Sequence, residues 1–199
     1  MGKIYIIVGK SATGKDTIYQ RVVSDLKEEL KEIVMYTTRP IRDKEKNGRE
    51  YYFVTETEYQ ALKETGKVIE ERSYNTVYGV WRYFTVNDGQ IDFDLQNYIM
   101  IGTLEAYLQI KDYFGEEFVV PIYVDVETGE RLERALAREK KQQEPKYTEL
   151  CRRFLADEAD FSEENIAKAG ITKRYYNNEL KACIEEIEKD IKMFINQEK

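Results

Sequence analysis

The chain has 199 residues, a net charge of −7 and no histidine. That length suits one domain with small inserted lobes, the acidic balance argues against nonspecific binding of nucleic-acid polymers, and without histidine there is no His-based triad, histidine general base or His-liganded zinc site. Cys151 and Cys183 form no framework or metal pattern and are expected to be buried or half-buried helix residues; no apolar run of about 18 residues marks a membrane span, and Met1-Gly2-Lys3 leaves no room for a signal peptide, so a reducing, cytoplasmic setting is expected.

Residues 3–8 are apolar and β-branched and read as a buried strand. They lead into Gly9-Lys10-Ser11-Ala12-Thr13-Gly14-Lys15-Asp16-Thr17, then a segment read as a helix over 15–30. This is G-x-x-x-x-G-K in a strand, loop and helix setting, the arrangement that cradles phosphates. Gly9 and Gly14 let the backbone approach closely. The helix start adds unpaired N–H groups and a positive dipole end, and Lys15 adds a point charge for transferring phosphates. Asp16 stands where Ser or Thr usually meets Mg²⁺. A carboxylate is a hard oxygen ligand too; either it takes the metal, directly or through water, or Thr17 or Ser11 shares the task.

Ile33–Tyr36 reads as the second strand, and strand, helix, strand favours a parallel sheet. Residues 37–86 differ in texture. Pro40 ends the preceding element, Tyr51–Val54 reads as a strand, and a short helix runs from Thr57, as N-cap, to Thr65. Val68–Glu70 and Val77–Gly79 read as strands around a turn at Asn75. Ile91–Leu95 is either a short strand or an irregular crossover. Tyr98–Ile101 rejoins the core sheet, Leu104–Phe114 is a helix, and Phe118–Val124 is a strand in which Pro121 marks a bulge or one end of pairing. Helices follow at Glu127–Arg138, Tyr147–Phe161 and Asn178–Phe194, with a mobile loop at Lys140–Lys146 and a last strand at Tyr175-Tyr176.

Basic residues cluster twice, at Arg39, Arg42, Lys44, Lys46 and Arg49, and at Arg131, Arg134, Arg138, Lys140 and Lys141. Arginine forks suit phosphate, but such clusters are equally consistent with solvated surface. Arg39 and Arg42 flank Pro40 and can both reach one anion if the segment wraps it, or pair with Glu45 or Glu50.

Thr37-Thr38-Arg39-Pro40-Ile41-Arg42, Glu45, Gly48, Tyr51 and Phe53-Val54 resemble the T-T-R-x-x-R…E-x-x-G-x-x-Y-x-F-V run of the guanylate kinase family. Val68-Ile69-Glu70, Val77-Tyr78-Gly79, the arginines from Arg131 to Arg153 and Tyr175-Tyr176-Asn177-Asn178-Glu179-Leu180 extend the resemblance in order. It implies an α/β, parallel-sheet P-loop nucleoside triphosphate hydrolase fold: core 1–35, 87–137 and 148–199, inserted acceptor-binding lobe 36–86, lid 138–147. It also implies transfer of the ATP γ-phosphoryl group to GMP or dGMP with Mg²⁺, on small-molecule nucleotides rather than a nucleic-acid polymer or membrane. By that resemblance Gly9 and Ser11 through Thr17 would hold ATP, with Asn177 near its adenine. Arg39, Arg42, Tyr51 and Tyr78 would hold the acceptor phosphate, and Glu70 the guanine N1 and N2 donors. Lys15, Arg39, Arg134, Arg138 and Arg153 would form the catalytic set, with Arg152 competing for the place of Arg153. Met35, Val80 and Ile101-Gly102-Thr103 depart from the family pattern around the base, so another mononucleotide acceptor, or a non-catalytic binding protein, are the alternatives.

Overall fold

A computed structural model describes residues 1–76 and 78–197. The main sheet has five parallel strands in the order β2-β7-β1-β8-β9: β1 Ile4–Val8, β2 Leu30–Glu32, β7 Asn97–Ile101, β8 Val119–Asp125 and β9 Arg174–Tyr176. β1 lies at its centre and is wholly buried. Its alternation feeds two cores. Ile4, Ile6 and Val8 face a cluster holding Leu104, Tyr107 and Ile110 of α3 (Leu104–Phe114) and Ile166 of α6 (Glu163–Lys168). Tyr5 and Ile7 face Ile18 and Val22 of α1 (Lys15–Asp25) and Ile184, Ile187 and Ile191 of α7 (Leu180–Gln197). A parallel sheet covered on both faces needs strands apolar throughout, as β1 is.

The first helix stops at Asp25, well before Leu30. It has no basic residue in its last turn, and Glu28 and Glu29 follow where negative charge is disfavoured. Leu26 and Leu30 look like a continuing helical stripe because both are buried; Leu30 in fact opens β2, paired with Asn97. The second core strand is therefore 30–32. The apolar run expected to form it, Ile33–Tyr36, carries the chain between sheets, and Tyr36 begins β3 (Tyr36–Thr37) of the second one.

That second sheet has four strands, β4-β3-β6-β5, with β4 Tyr52–Phe53, β5 Val68–Thr76 and β6 Gly79–Val86. β5 and β6 form one long antiparallel hairpin in which Asn75 pairs with Val80, so the turn is not at Asn75. Val77 lies outside the described residues, and Tyr78 belongs to the turn. α2 (Glu56–Glu64) starts two residues earlier than Thr57 would place it. Thr55 is the N-cap, and Glu58 closes a capping box. Tyr59 of this helix packs with Phe84 and Val86 in a third cluster.

Residues 91–96 are irregular crossover. Pro121 sits opposite Ile6 of β1, and pairing with β9 begins only at Tyr123; the missing donor falls where the other side is unpaired. α4 (Thr128–Glu139) and α5 (Tyr147–Asp160) bracket 140–146, which has no regular structure. α6 gave no periodic signal over its six residues. Cys183 is buried and Cys151 is exposed, which corrects the expectation for Cys151. Among the described residues no helix is long and apolar enough to cross a membrane.

Candidate active site

The loop between β1 and α1 opens at the carboxyl end of the central strand, where ligands settle in open α/β sheets. A Cβ on Gly9 would come 2.5 Å from the carbonyl oxygen of Val124. Gly14 has φ of 83°, and a Cβ there would meet the Asn177 amide nitrogen at 2.5 Å. These two contacts explain the two glycines of the motif. Between them Thr13 is fully buried, its hydroxyl donating to the Lys10 carbonyl at 2.9 Å.

The loop already holds an anion-like group. The Ser11 N–H donates to the Asp157 carboxylate at 2.6 Å, so this amide points at negative charge, as a phosphate cradle requires. Lys10 pairs with Glu158 at 3.0 Å. Arg131 is completely buried, stacked 3.8 Å over Phe154 and bonded to the Ser11 carbonyl and to Glu158. It ties α4, α5 and the loop together, a role its exposed-stripe spacing did not reveal.

Between the two sheets lies a cleft of about 1100 Å³, lined among others by Gly9, Ser11, Lys15, Arg42, Tyr51, Arg72, Tyr74, Tyr83, Thr103, Arg152 and Arg153. Lys15 is loosely placed 3.7 Å from Asp16. Asp16 is itself largely exposed, and its carboxylate has the hard oxygen donors that suit a cation such as Mg²⁺. Arg42 donates its backbone N–H to Glu45 at 2.8 Å, and its charge helps hold that carboxyl low. Arg153 donates to the Ser11 hydroxyl at 3.2 Å, whereas Arg152 is paired with Glu149. Arg153 and Arg138 also line a smaller cavity of about 170 Å³ between α4 and α5. Tyr51 is kept protonated, its pKa raised by burial and by neighbouring Tyr83, so it can only donate or accept through a neutral hydroxyl.

Several expected site residues already have partners within the protein. Arg39 is buried, sandwiched 5.3 Å from the rings of both Tyr51 and Phe53, with its fork on Glu45 at 2.7 and 2.8 Å. That is an ion pair with Glu45, but inside the lobe instead of on its surface. Glu45 also accepts from the Arg42 amide, so Arg39 shapes the segment that presents Arg42. Tyr78 is 82% exposed at the hairpin tip, stacked on Trp81 and away from the cleft. Arg134 is held by Glu130 and by the Asn177 carbonyl. Asn177 is buried, and its amide donates to the Thr13 carbonyl at 2.8 Å, so it braces the phosphate loop. Glu70 is buried too, and its carboxylate is occupied by Arg72 and Thr85.

Among the cleft residues that were missed are Arg72, Tyr74 and Tyr83. Their signal is period two. Glu70, Arg72 and Tyr74 alternate along β5 and so share one face, while Tyr83 is the register partner of Arg72.

Residues 1–92 match the family described as guanylate kinase. The guanylate kinase of Porphyromonas gingivalis is 29% identical over 202 residues, covering 98% of this chain and 99% of that one. That of Malacoplasma penetrans is 29% identical over 155 residues, covering 70% and 78%. That of Thermotoga maritima is 33% identical over 107 residues, covering 50% and 51%. The crystal structure of guanylate kinase from Anaplasma phagocytophilum superposes with a TM-score of 0.61 at 21% identity, over 99% of this chain and 86% of the other. That likeness is one of fold.

Proposed function

From a chain that belongs to the guanylate kinase family of P-loop phosphotransferases, we propose transfer of the ATP γ-phosphoryl group to a nucleoside monophosphate, GMP or dGMP before others, giving the diphosphate and ADP. One observation carries this reading: the Gly9–Thr17 loop with Lys15 opens on the same cleft as Arg42, Tyr51 and Arg153. Two anions held there face one another across a polar, arginine-lined space.

Phosphoryl transfer asks for alignment and charge neutralisation, with little covalent help from the protein. Loop amides such as Ser11 N–H bind the donor's phosphates, and Lys15 offsets charge on the group in transit. Arg42 and Tyr51 hold the acceptor phosphate, the first by charge and the second by a neutral hydroxyl. Arg153 and Arg138, on helices that flank the 140–146 segment, close over the phosphates and exclude water, which limits hydrolysis. Asp16, with Thr17 or Ser11, would hold Mg²⁺, which would supply Lewis-acid neutralisation of the phosphates. The inserted sheet at 36–86 serves as the acceptor-binding lobe and 138–147 as the lid.

A second reading keeps the enzyme and changes the acceptor. It is favoured by Met35, whose sulfur lies 3.4 Å from Arg72, and by the occupied Glu70 carboxylate; Val80, 44% exposed beside the hairpin tip, stands apart from the base. Offering GMP, dGMP, AMP, CMP, UMP and dTMP with Mg·ATP and following ADP production tests both. GMP and dGMP are expected to be turned over fastest. A pyrimidine or AMP preference would move the reading to that acceptor, and ATP binding with no turnover of any would leave a binding protein.

A further inference from the structure

Within the cleft, Arg72 and not Glu70 is the group that meets solvent: Arg72 lines it, whereas Glu70 lies behind with a fully buried side chain. Oε1 of Glu70 accepts from Arg72 Nη2 at 3.2 Å and from Thr85 Oγ1 at 2.9 Å, and Oε2 accepts from Arg72 Nε at 3.1 Å. A carboxylate offers about four acceptor positions. Both on Oε1 are filled and one remains on Oε2. A base edge with two adjacent donors cannot be accepted unless Arg72 leaves, which would strand a buried charge.

The guanidinium has spent only one of its two forks. Its Nε/Nη2 edge is on Glu70. Its Nη1 group has no hydrogen-bond partner among the described residues, and the other Nη2 hydrogen reaches only the Met35 sulfur at 3.4 Å, a weak acceptor. The Nη1/Nη2 edge is therefore two parallel donors, oriented by a buried carboxylate. Two parallel donors match two adjacent acceptors, such as the O6 and N7 of guanine. They mismatch adenine, which carries an amino group beside N7.

We infer that Arg72 reads the acceptor base through O6 and N7, and that Glu70 is a positioning residue acting through Arg72. The inference rests on the cleft being a nucleotide acceptor site, and it specifies the class: purine monophosphates with a 6-oxo group, whether or not they carry the 2-amino group.

Affinities of GMP, IMP, AMP and 7-deaza-GMP measured by calorimetry, alongside their turnover with Mg·ATP, test this without any substitution. IMP is expected to bind within about fivefold of GMP. AMP and 7-deaza-GMP are expected to bind about 10- to 100-fold more weakly, the discrimination one good bidentate pair gives. Glu70→Gln should weaken GMP and IMP in parallel, raising KM more than it lowers kcat and leaving their ratio unchanged. Arg72→Met should abolish the penalty for 7-deaza-GMP. Preference for GMP over IMP beyond about 100-fold, with 7-deaza-GMP bound normally, would overturn the inference, since Glu70 would then be reading the donors directly. Absence of binding by any purine monophosphate would overturn it as well, while turnover of a pyrimidine would leave the kinase reading standing. Equal binding of GMP and IMP without transfer would support the inference and remove the kinase reading.

Discussion

The carboxylate of Asp157, on α5, sits 2.6 Å from the backbone N–H of Ser11, inside the loop that follows the first strand. A side chain thus occupies a donor that a bound phosphate would use. On the proposed function, Asp157 would give up that bond, and its 3.5 Å approach to Arg131, when a nucleotide enters. Asp157→Asn removes a competing charge while Glu158 still pairs with Arg131. Mg·ATP should then bind about three- to tenfold more tightly by calorimetry, roughly 1 kcal/mol, the scale of one hydrogen bond net of exchange. Weaker binding by the variant would mean that the carboxylate props the loop open instead.

Among the described residues Lys15 makes one ion pair, a loose 3.7 Å approach to Asp16. On the proposed function its charge acts on bound phosphates. Lys15→Ala is expected to lower kcat by about 100-fold or more, the usual cost of losing one stabilising group at a developing charge. The melting temperature without nucleotide should hardly change. Transfer near the wild-type rate would remove Lys15 from the mechanism.

How much of this could be read beforehand depends on what each residue's neighbours are. The loop, β1 and the parallel sheet were legible because their signals are local: two glycines at fixed spacing, an apolar run, and a helix. The limits of α1 and β2 were not, because a buried Leu at i and i+4 looks the same whether the chain continues as helix or turns into a strand. Site arginines were the least legible. Arg39, Arg42, Arg131, Arg134 and Arg153 are alike in sequence, yet Arg39 and Arg131 are buried among acids and rings while Arg42 and Arg153 face the cleft. What separates them is which carboxylates fold back onto them, and those come from Glu45, Asp157 and Glu158, up to 27 residues away. Arg72 and Tyr83 were missed for a different reason: a hairpin register brings them face to face, and alternation along β5 was the one clue.

Asn177 and Gly14 are coupled across 163 residues of chain. The Asn177 amide holds the Thr13 carbonyl at 2.8 Å, and the space it fills is the space a Gly14 side chain would need. Gly14→Ala carries both a positive-φ penalty, about 1 kcal/mol, and a clash with that amide. Asn177→Ala leaves the buried Thr13 carbonyl unpaired, at about 1–3 kcal/mol. The double variant should be less destabilised than the sum, because removing the amide relieves the clash; denaturant titration of the four proteins measures the coupling. Strict additivity would show that the loop shifts away from Asn177 on its own.

Arg39 and Glu45 fix the acid limit of the lobe. The Arg39 fork holds the Glu45 carboxyl down to about 2, well below its ordinary value of 4.5. A carboxyl depressed in the folded state binds fewer protons there than when unfolded, so it favours folding above pH 4.5 and loses that contribution as pH falls toward 2. Glu45→Gln abolishes the contribution at every pH and leaves the Arg39 guanidinium, only 3% exposed, without its counter-charge. The melting temperature of the variant should lie below wild type at pH 7, and the gap should narrow between pH 4.5 and 2 as the wild type loses its advantage. Because Glu45 also accepts from the Arg42 amide, the same variant should raise the KM for the monophosphate while sparing that for ATP. A gap independent of pH would show that the pair contributes packing alone, and an unchanged monophosphate KM would show that Arg42 is placed without it.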